Sequence, residues 1–310
     1  MGWGSETHHP GYGWISQGAN DASYRNRAAI QNLIWGGHAN DENTIGLNPK
    51  QTINYASCHD NWTLRDQLYQ CLGSGGNAGN GYDVLHASEA VHALIFASNA
   101  TAFMLGGEEL LRTKDVDLAD PALVEDNTIP RDSYEDLYGH LTSHNSYNSP
   151  LVVNSFKWGN KLSVEFDYGI DRDNNMKKKD PYTVDTYAEK VTEKFAKMIE
   201  LHKRMPKYDY TEAESYKQMT SKGNKVENLS WSGSEGGECA FGIQFDEYFI
   251  YASGRSFGKV GAGSVPSWGA PLLKVGGNVE YDKDSASLKI GNEGYQNGFA
   301  FAIYYAGGKR

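Results

Sequence analysis

The chain has 310 residues and a formal net charge of −10 at pH 7, and 39% of its residues are hydrophobic, which is enough for a core. A chain of this length holds two domains or one large domain. Because the charge is acidic and no basic cluster is present, we expect neither nucleic acid nor an anionic membrane as a partner.

The first 105 residues alternate between helical and strand patterns. The predicted elements are a helix over 23–33, a strand over 52–58, helices over 63–71 and 87–99, and a buried strand over 101–105. This order is typical of an α/β fold with parallel strands.

The remainder of the chain changes from helical to β-type patterns. A polar segment over 113–186 is longer than an ordinary connection, and the spacing of apolar residues predicts a helix over 184–204. After Pro206, short alternating or apolar runs separated by Gly, Asp and Ser predict an antiparallel β-sandwich. These runs are NLSWSG, CAFGIQF, EYFIYAS, PLLKVGG, SASLKIG and GFAFAIYYA. We therefore predict two domains, residues 1–206 and residues 207–310.

Targeting signals and a cysteine framework are not found in the sequence. The three cysteines give no paired disulfide pattern and no zinc-type spacing. No apolar run reaches the length of a membrane-spanning helix, and the first residues have neither the basic region nor the apolar stretch of a signal peptide. We expect a soluble protein, and both a cytoplasmic and a secreted location remain open.

His59 and Asp60 lie between a predicted strand and a predicted helix, in the sequence SCHDNW. In parallel α/β folds, polar residues at the carboxyl end of a strand face the ligand-binding side. A carboxylate with a neighbouring imidazole is suited to bind a ligand there. The alternative is that Asp60 or Asn61 caps the helix that starts at Thr63. The spacing alone leaves both interpretations open.

Two further polar segments allow a functional and a structural interpretation. Gly106 and Gly107 end the predicted strand over 101–105, so Glu108 and Glu109 lie at the carboxyl end of that strand. They either face a ligand there or stabilise the first turn of a helix through its dipole. Arg112 is placed to pair with either acid. The segment SHNSYNSP over 143–150 offers amides, hydroxyls and an aromatic ring, as a sugar site requires, but these residue types also form turns.

Metal-binding patterns are not convincing in this sequence. DRDNNMKKKD at 171–180 begins like a calcium loop, but Met176 stands where Gly is required and Tyr182 where Glu is required. We therefore reject a calcium loop there. The pair His8-His9 alone does not predict a metal site.

The order of three motifs resembles one known family. QTINYASCHDNWTLRDQL at 51–68, TAFMLGGEELLRTK at 101–114 and HNSYNSPLVVNSFKW at 144–158 follow one another as in the carboxy-terminal half of type I pullulanases. These are debranching enzymes of glycoside hydrolase family 13, the α-amylase family. The resemblance covers about residues 45–205 and is looser over 206–310. It implies a partial (β/α)8 TIM barrel, about strands six to eight, followed by a C-terminal antiparallel β-sandwich.

The resemblance also implies roles for residues at each motif. Asp60 would be the catalytic carboxylate that stabilises the transition state, and His59 would hydrogen-bond the sugar in the −1 subsite. The other residues that match by position are Asn61, Asn145 and Tyr147 as substrate-binding residues, and Glu108 and Arg112 as structural supports of the rim. For cofactors, the resemblance leaves calcium open, with no ligand set identified in these residues, and implies no other.

Two essential motifs of the family are missing. A retaining glycosidase also needs a nucleophile and an acid/base, and the family motifs that carry them, GFRFD and GEGWD, do not occur in this chain. We therefore expect a fragment of an α-glucan debranching enzyme that is inactive alone. The alternatives are a non-catalytic α-glucan-binding or scaffold protein, and one half of a split glycosidase whose partner is the missing N-terminal half of the barrel. The expected ligands are pullulan, starch and glycogen oligosaccharides; α-1,6 bonds are favoured, and α-1,4 bonds remain open.

Overall fold

A computed structural model describes the chain over residues 2–3, 10–11, 33–34, 49–73, 81–116, 133–135, 141–156, 168–170, 176–178, 184–205, 226–234, 237–245, 247–254, 258–261, 270–277, 279–282, 287–290 and 299–305. The predicted helix over 23–33 lies almost entirely outside the described residues. The predicted boundary between residues 206 and 207 stays a prediction, because residues 206–225 lie outside them too.

Helices and strands both occur, as predicted. The strands are β1 (Gly2–Trp3), β2 (Pro10–Gly11), β3 (Ile53–Asn54), β4 (Thr101–Ala102), β5 (Ser133–Glu135), β6 (Leu141–Ser143), β7 (Tyr168–Ile170), β8 (Met176–Lys178), β9 (Val226–Ser234), β10 (Gly237–Phe245), β11 (Tyr248–Ser253), β12 (Gly258–Gly261), β13 (Leu273–Gly276), β14 (Val279–Asp282), β15 (Ser287–Ile290) and β16 (Ala300–Tyr305). The α-helices are α1 (Leu64–Gly73), α2 (Gly81–Phe96), α3 (Leu151–Asn154) and α4 (Val184–Arg204), and 3-10 turns cover Pro49–Gln51 and Glu108–Leu110.

The chain divides into two compact units. The first contains residues 1–12, 56–88 and 104–195, and the second contains residues 13–55, 89–103 and 196–310. In the first unit, β1 pairs with β2, β5 with β6 and β7 with β8, and each pair is antiparallel. The second unit holds the pair of β3 and β4 and two larger sheets.

The strands β3 and β4 pair in parallel, with Ile53 opposite Thr101 and Asn54 opposite Ala102. Helices α1 and α2 lie between them in the sequence, since two parallel strands need a crossover connection rather than a hairpin. The parallel pairing predicted from the order of elements is confirmed. Both strands are shorter than predicted.

The two faces of this parallel pair have different surroundings. On one face, Asn54 Nδ2 donates to Leu33 O at 2.8 Å and to Ser98 Oγ at 2.9 Å. On the other, the side chains of Ile53 and Phe103 are 59% and 42% exposed. The predicted burial of the strand over 101–105 is wrong, because none of these residues is buried and Phe103 is exposed. An apolar sequence does not reveal whether anything covers the side chains.

Antiparallel sheets form in the carboxy-terminal region, as predicted. One has the strand order β13-β16-β11-β10-β9 and the other the order β12-β15-β14. The central strand β11 is buried along its whole length and is apolar at most positions, whereas the edge strand β13 alternates between buried and exposed residues. Side chains of both sheets share one core cluster: Ala240, Phe249, Tyr251, Leu288, Ala300, Ala302 and Tyr304, with Val279 packed against them.

Helix α4 matches the predicted range and shows why the prediction worked. Phe195, Met198 and Leu201 are buried, whereas Lys197 and Glu200 between them are exposed. This spacing of three residues places the apolar side chains on one face. Among the described helices, none is long and apolar enough to cross a membrane.

Candidate functional site

The loop between β3 and α1 presents two polar side chains to solvent. The side chains of His59 and Asp60 are 84% and 60% exposed, and His59 Nε2 lies 3.4 Å from Asp60 Oδ2. The next residue, Asn61, has a φ of 61°. Asparagine adopts this left-handed conformation more readily than most residues, and the turn precedes the buried side chain of Trp62.

The cap of α1 is Thr63, so the capping interpretation of Asp60 and Asn61 is wrong. Asp66 N donates to Thr63 Oγ1 at 3.2 Å, which is the bond expected from an N-cap residue. Leu64 N donates to Ser57 Oγ at 3.1 Å. Two hydroxyls therefore satisfy free amides at the start of the helix, and the exposed carboxylate of Asp60 takes part in neither bond.

Glu108 is buried rather than facing a ligand. Its carboxylate accepts a short hydrogen bond from Ser57 Oγ. Ser57 thus links the loop before α1 to the turn that follows β4, because its hydroxyl donates to Glu108 and accepts from Leu64 N. These bonds are compatible with the supporting role expected for Glu108.

Arg112 holds the same turn to helix α3. Its Nη1 donates to Gly106 O at 2.9 Å and its Nη2 to Asn154 O at 2.7 Å. Its guanidinium carbon lies 5.5 Å from the centre of the Phe156 ring. The expected pairing of Arg112 with Glu108 or Glu109 is wrong: backbone carbonyls take its donors, and Glu109 instead accepts from Gly107 N.

The turn after β4 requires a glycine at position 107, because the backbone there is in the left-handed region. Gly107 has a φ of 96°, and a Cβ there would lie 3.0 Å from Phe156 Cζ and 3.2 Å from Arg112 Cβ. Gly107→Ala should lower the free energy of unfolding by about 1 to 3 kcal/mol. Gly106→Ala is the matched control, because its Cβ would meet Phe156 at an ordinary 3.5 Å, and a change within about 0.5 kcal/mol is expected. Equal losses in urea denaturation of the two variants would contradict this explanation.

A second loop presents Asn145 and Tyr147. Both are exposed, and the exposed fraction of Tyr147 is 86%. Between them, Ser146 is buried: its hydroxyl donates to Asn154 Oδ1 at 2.7 Å, and Asn154 Nδ2 donates back to Ser146 O at 2.7 Å. This reciprocal pair holds the loop against α3 and leaves the Tyr147 ring in solvent.

The structure brings the two loops together through Trp62 and Lys114. The rings of Trp62 and His144 meet edge to face, with centroids 4.4 Å apart. Ser143 N donates to Lys114 O at 2.9 Å, and Lys114 Nζ donates to His59 O at 2.9 Å and to Asn61 O at 2.5 Å. Of the residues predicted from sequence, four are therefore exposed on linked loops of one unit, namely His59, Asp60, Asn145 and Tyr147, whereas Glu108 is buried.

A buried charged network joins helix α1 to residues 113–115 and was not predicted. Asp66 Oδ1 accepts from Arg65 Nη1 at 3.1 Å and from Thr113 Oγ1 at 2.6 Å, and its Oδ2 accepts from Lys114 N at 2.9 Å. Burial raises the pKa of Asp66, and the Arg65 guanidinium opposes that shift. The available signal was the charged pair Arg65-Asp66 in the first turn of a helix between apolar residues. In the described part of the chain, no group of three or more His, Cys, Asp or Glu is placed to hold a metal ion.

Comparison with known proteins gives matches in fold. No family model matches the chain. The catalytic module of SpuA, a multi-modular glycogen-degrading pneumococcal virulence factor, matches 96% of this chain and 40% of its own, with a TM-score of 0.62 and 16% identity. The group B Streptococcus pullulanase SAP matches 95% of this chain and 36% of its own, with a TM-score of 0.64 and 17% identity. The pullulanase of Bacillus acidopullulyticus matches 93% of this chain and 27% of its own, with a TM-score of 0.50 and 20% identity.

These matches define the class of fold. The chain shares the fold of part of a pullulanase-type module, which confirms at the level of fold the resemblance carried by the three motifs. It spans 40% of the length of the SpuA module and 36% of the length of SAP.

Proposed function

We propose that this chain supplies part of the α-glucan site of a debranching glycoside hydrolase. The observation that carries the proposal is the exposed pair His59 and Asp60. The backbone of their loop accepts hydrogen bonds from the buried Lys114, and the loop is linked through the rings of Trp62 and His144 to the loop with the exposed ring of Tyr147. Fixed polar groups next to an aromatic face suit a neutral sugar. SAP has been solved in complex with maltotetraose, and we propose the same class of ligand here.

The roles follow from the charge that develops during retaining hydrolysis. The sugar passes through an oxocarbenium-like state, which a fixed carboxylate stabilises; Asp60 takes that role. His59 donates a hydrogen bond to a sugar hydroxyl, and Asn61 and Asn145 offer amides. Tyr147 provides a face on which a glucose ring stacks. Glu108 and Arg112 support the turn without contacting the sugar.

The proposal extends to the architecture and to the activity expected of the chain. We propose that residues 1–206 correspond to about strands six to eight of a (β/α)8 barrel and residues 207–310 to a β-sandwich. Because this sequence lacks GFRFD and GEGWD, the nucleophile and the acid/base have to come from outside these residues. The isolated chain should therefore bind α-glucan without cleaving it.

Titration calorimetry with maltotetraose tests this proposal. We expect binding by the isolated chain, and an affinity about tenfold weaker for Tyr147→Ala because the stacking face is lost. Tyr281→Ala is the matched control, since Tyr281 is also exposed but lies in β14 of the second unit. We expect no reducing sugar from pullulan. Hydrolysis by the chain alone, or equal affinity of both variants, would contradict the proposal.

A second candidate, the split glycosidase, is favoured by the uncovered face of the β3–β4 pair. Ile53, Tyr55 and Phe103 are 59%, 53% and 42% exposed, and the rings of Tyr55 and Phe103 are in edge-to-face contact with centroids 5.9 Å apart. Parallel sheets are normally covered on both faces. A complementary β/α segment carrying the two missing acids would cover these side chains.

Co-expression with such a segment separates the split enzyme from a non-catalytic binding protein. The segment is the part of a pullulanase that lies before the region similar to this chain and carries GFRFD and GEGWD. If the chain is half of a split enzyme, we expect a stable complex that releases reducing sugar from pullulan. Phe103→Lys should weaken that complex, because it places a charge on the apolar face that the segment would cover. A soluble mixture with neither complex nor activity would favour the binding protein.

A further inference from the structure

The buried ammonium group of Lys114 bonds to the backbone on both sides of Asp60. Its Nζ donates to His59 O at 2.9 Å and to Asn61 O at 2.5 Å. The first carbonyl belongs to the peptide before Asp60, and the second belongs to the peptide after Asn61. One cation therefore fixes the path of the chain on either side of the carboxylate.

The loop needs such an anchor because its side chains have little packing of their own. His59 and Asp60 are mostly in solvent, so their direction depends on the backbone. Asn61 is in the left-handed region, which is a less populated conformation for residues other than glycine. The two bonds from Lys114 stabilise that conformation, since charge-assisted hydrogen bonds are stronger than neutral ones.

Lys114 is itself fixed from two directions. Its backbone N donates to Asp66 Oδ2 at 2.9 Å, and its carbonyl accepts from Ser143 N at 2.9 Å. Burial lowers the pKa of Lys114, and the carboxylate of Asp66 opposes that shift. The ammonium group is thus held relative to α1 and to the strand β6 that leads into the loop with Tyr147.

We propose that Lys114 is a positioning residue, which holds His59 and Asp60 in the orientation that binds α-glucan and does not contact the sugar. This inference rests on the proposed function of those two residues. It makes the affinity for the sugar depend on a side chain buried beneath the site.

The experiment compares Lys114→Met with Thr113→Val. Methionine keeps the apolar stem and removes both bonds to the loop. We expect amide exchange over residues 57–64 to rise about tenfold and the affinity for maltotetraose to fall about tenfold. Thr113 is buried in the same segment, but its hydroxyl bonds to Asp66 and Asp115 and not to the loop. Thr113→Val should therefore lower the melting temperature and leave loop exchange and affinity unchanged.

The outcomes separate the inference from the proposed function. If the wild-type chain does not bind maltotetraose, the proposed function fails, while exchange over residues 57–64 still tests Lys114. Wild-type exchange in folded Lys114→Met overturns the inference. If that variant does not fold, Lys114→Arg replaces it, because arginine keeps a cation with N–H donors. Protection of the loop in Lys114→Arg supports the inference, and its loss in a folded Lys114→Arg chain overturns it.

Discussion

Replacing Asp66 with alanine is expected to lower the free energy of unfolding by about 3 to 5 kcal/mol, because it breaks a buried ion pair and leaves a charge behind. Arg65 is buried with its Nη1 3.1 Å from Asp66 Oδ1 and 3.4 Å from Asp115 Oδ1, so the substitution removes the nearer of these two carboxylates. Thr113 Oγ1 and Lys114 N lose the same acceptor.

Urea denaturation of three variants measures this effect. Asp66→Asn keeps an acceptor oxygen of the same shape and should lose less stability than Asp66→Ala. Asp60→Ala removes an exposed carboxylate and should change stability by no more than about 0.5 kcal/mol. A loss below about 1 kcal/mol in Asp66→Ala would mean that the network does not stabilise the fold.

Acid is expected to destabilise the fold through His86. Burial, and to a smaller extent the neighbouring Lys194 ammonium, together lower the pKa of His86 to about 4. The unfolded chain takes up this proton near pH 6.5 and the folded chain only near pH 4, so stability is lost as pH falls through that window. Between pH 7.5 and pH 4.5 the loss from this group approaches about 2.5 kcal/mol.

The contribution of His86 is isolated by difference, because carboxylates also titrate in acid. The free energy of unfolding of the wild type and of His86→Gln is measured at several values of pH, and the gap between the two curves should change by that amount. Lys194→Gln should raise the pKa of His86 and recover part of the loss. Parallel curves for the wild type and His86→Gln would show that folding does not lower the pKa of His86.

Helices and strands whose apolar residues recur at regular spacing were predictable from the sequence. Helix α4 follows its apolar spacing from Val184 to Arg204, and each predicted run after residue 226 overlaps a strand. Short strands without a pattern were missed, for example GKVG in β12 and VEYD in β14. The exposure of Phe103 could not be predicted either, since burial depends on what packs against a side chain and not on its own type.

The site was predicted in part for a similar reason. His59, Asp60, Asn145 and Tyr147 belong to motifs that resemble a family, and the structure places them on two linked loops. The residues that link the loops escaped prediction. Lys114 and Ser57 are far apart in the sequence and look like ordinary surface polar residues. Their importance arises from burial and from bonds that span 51 residues or more.

The most direct test of the central claim is to locate bound maltotetraose by NMR shift mapping on the isotopically labelled chain. We predict that the largest shift changes occur at residues 59–61 and 144–147, and that Lys114→Met weakens the changes in both segments. Changes confined to the sheets of the second unit, or binding without any change at His59, Asp60 and Tyr147, would contradict this prediction.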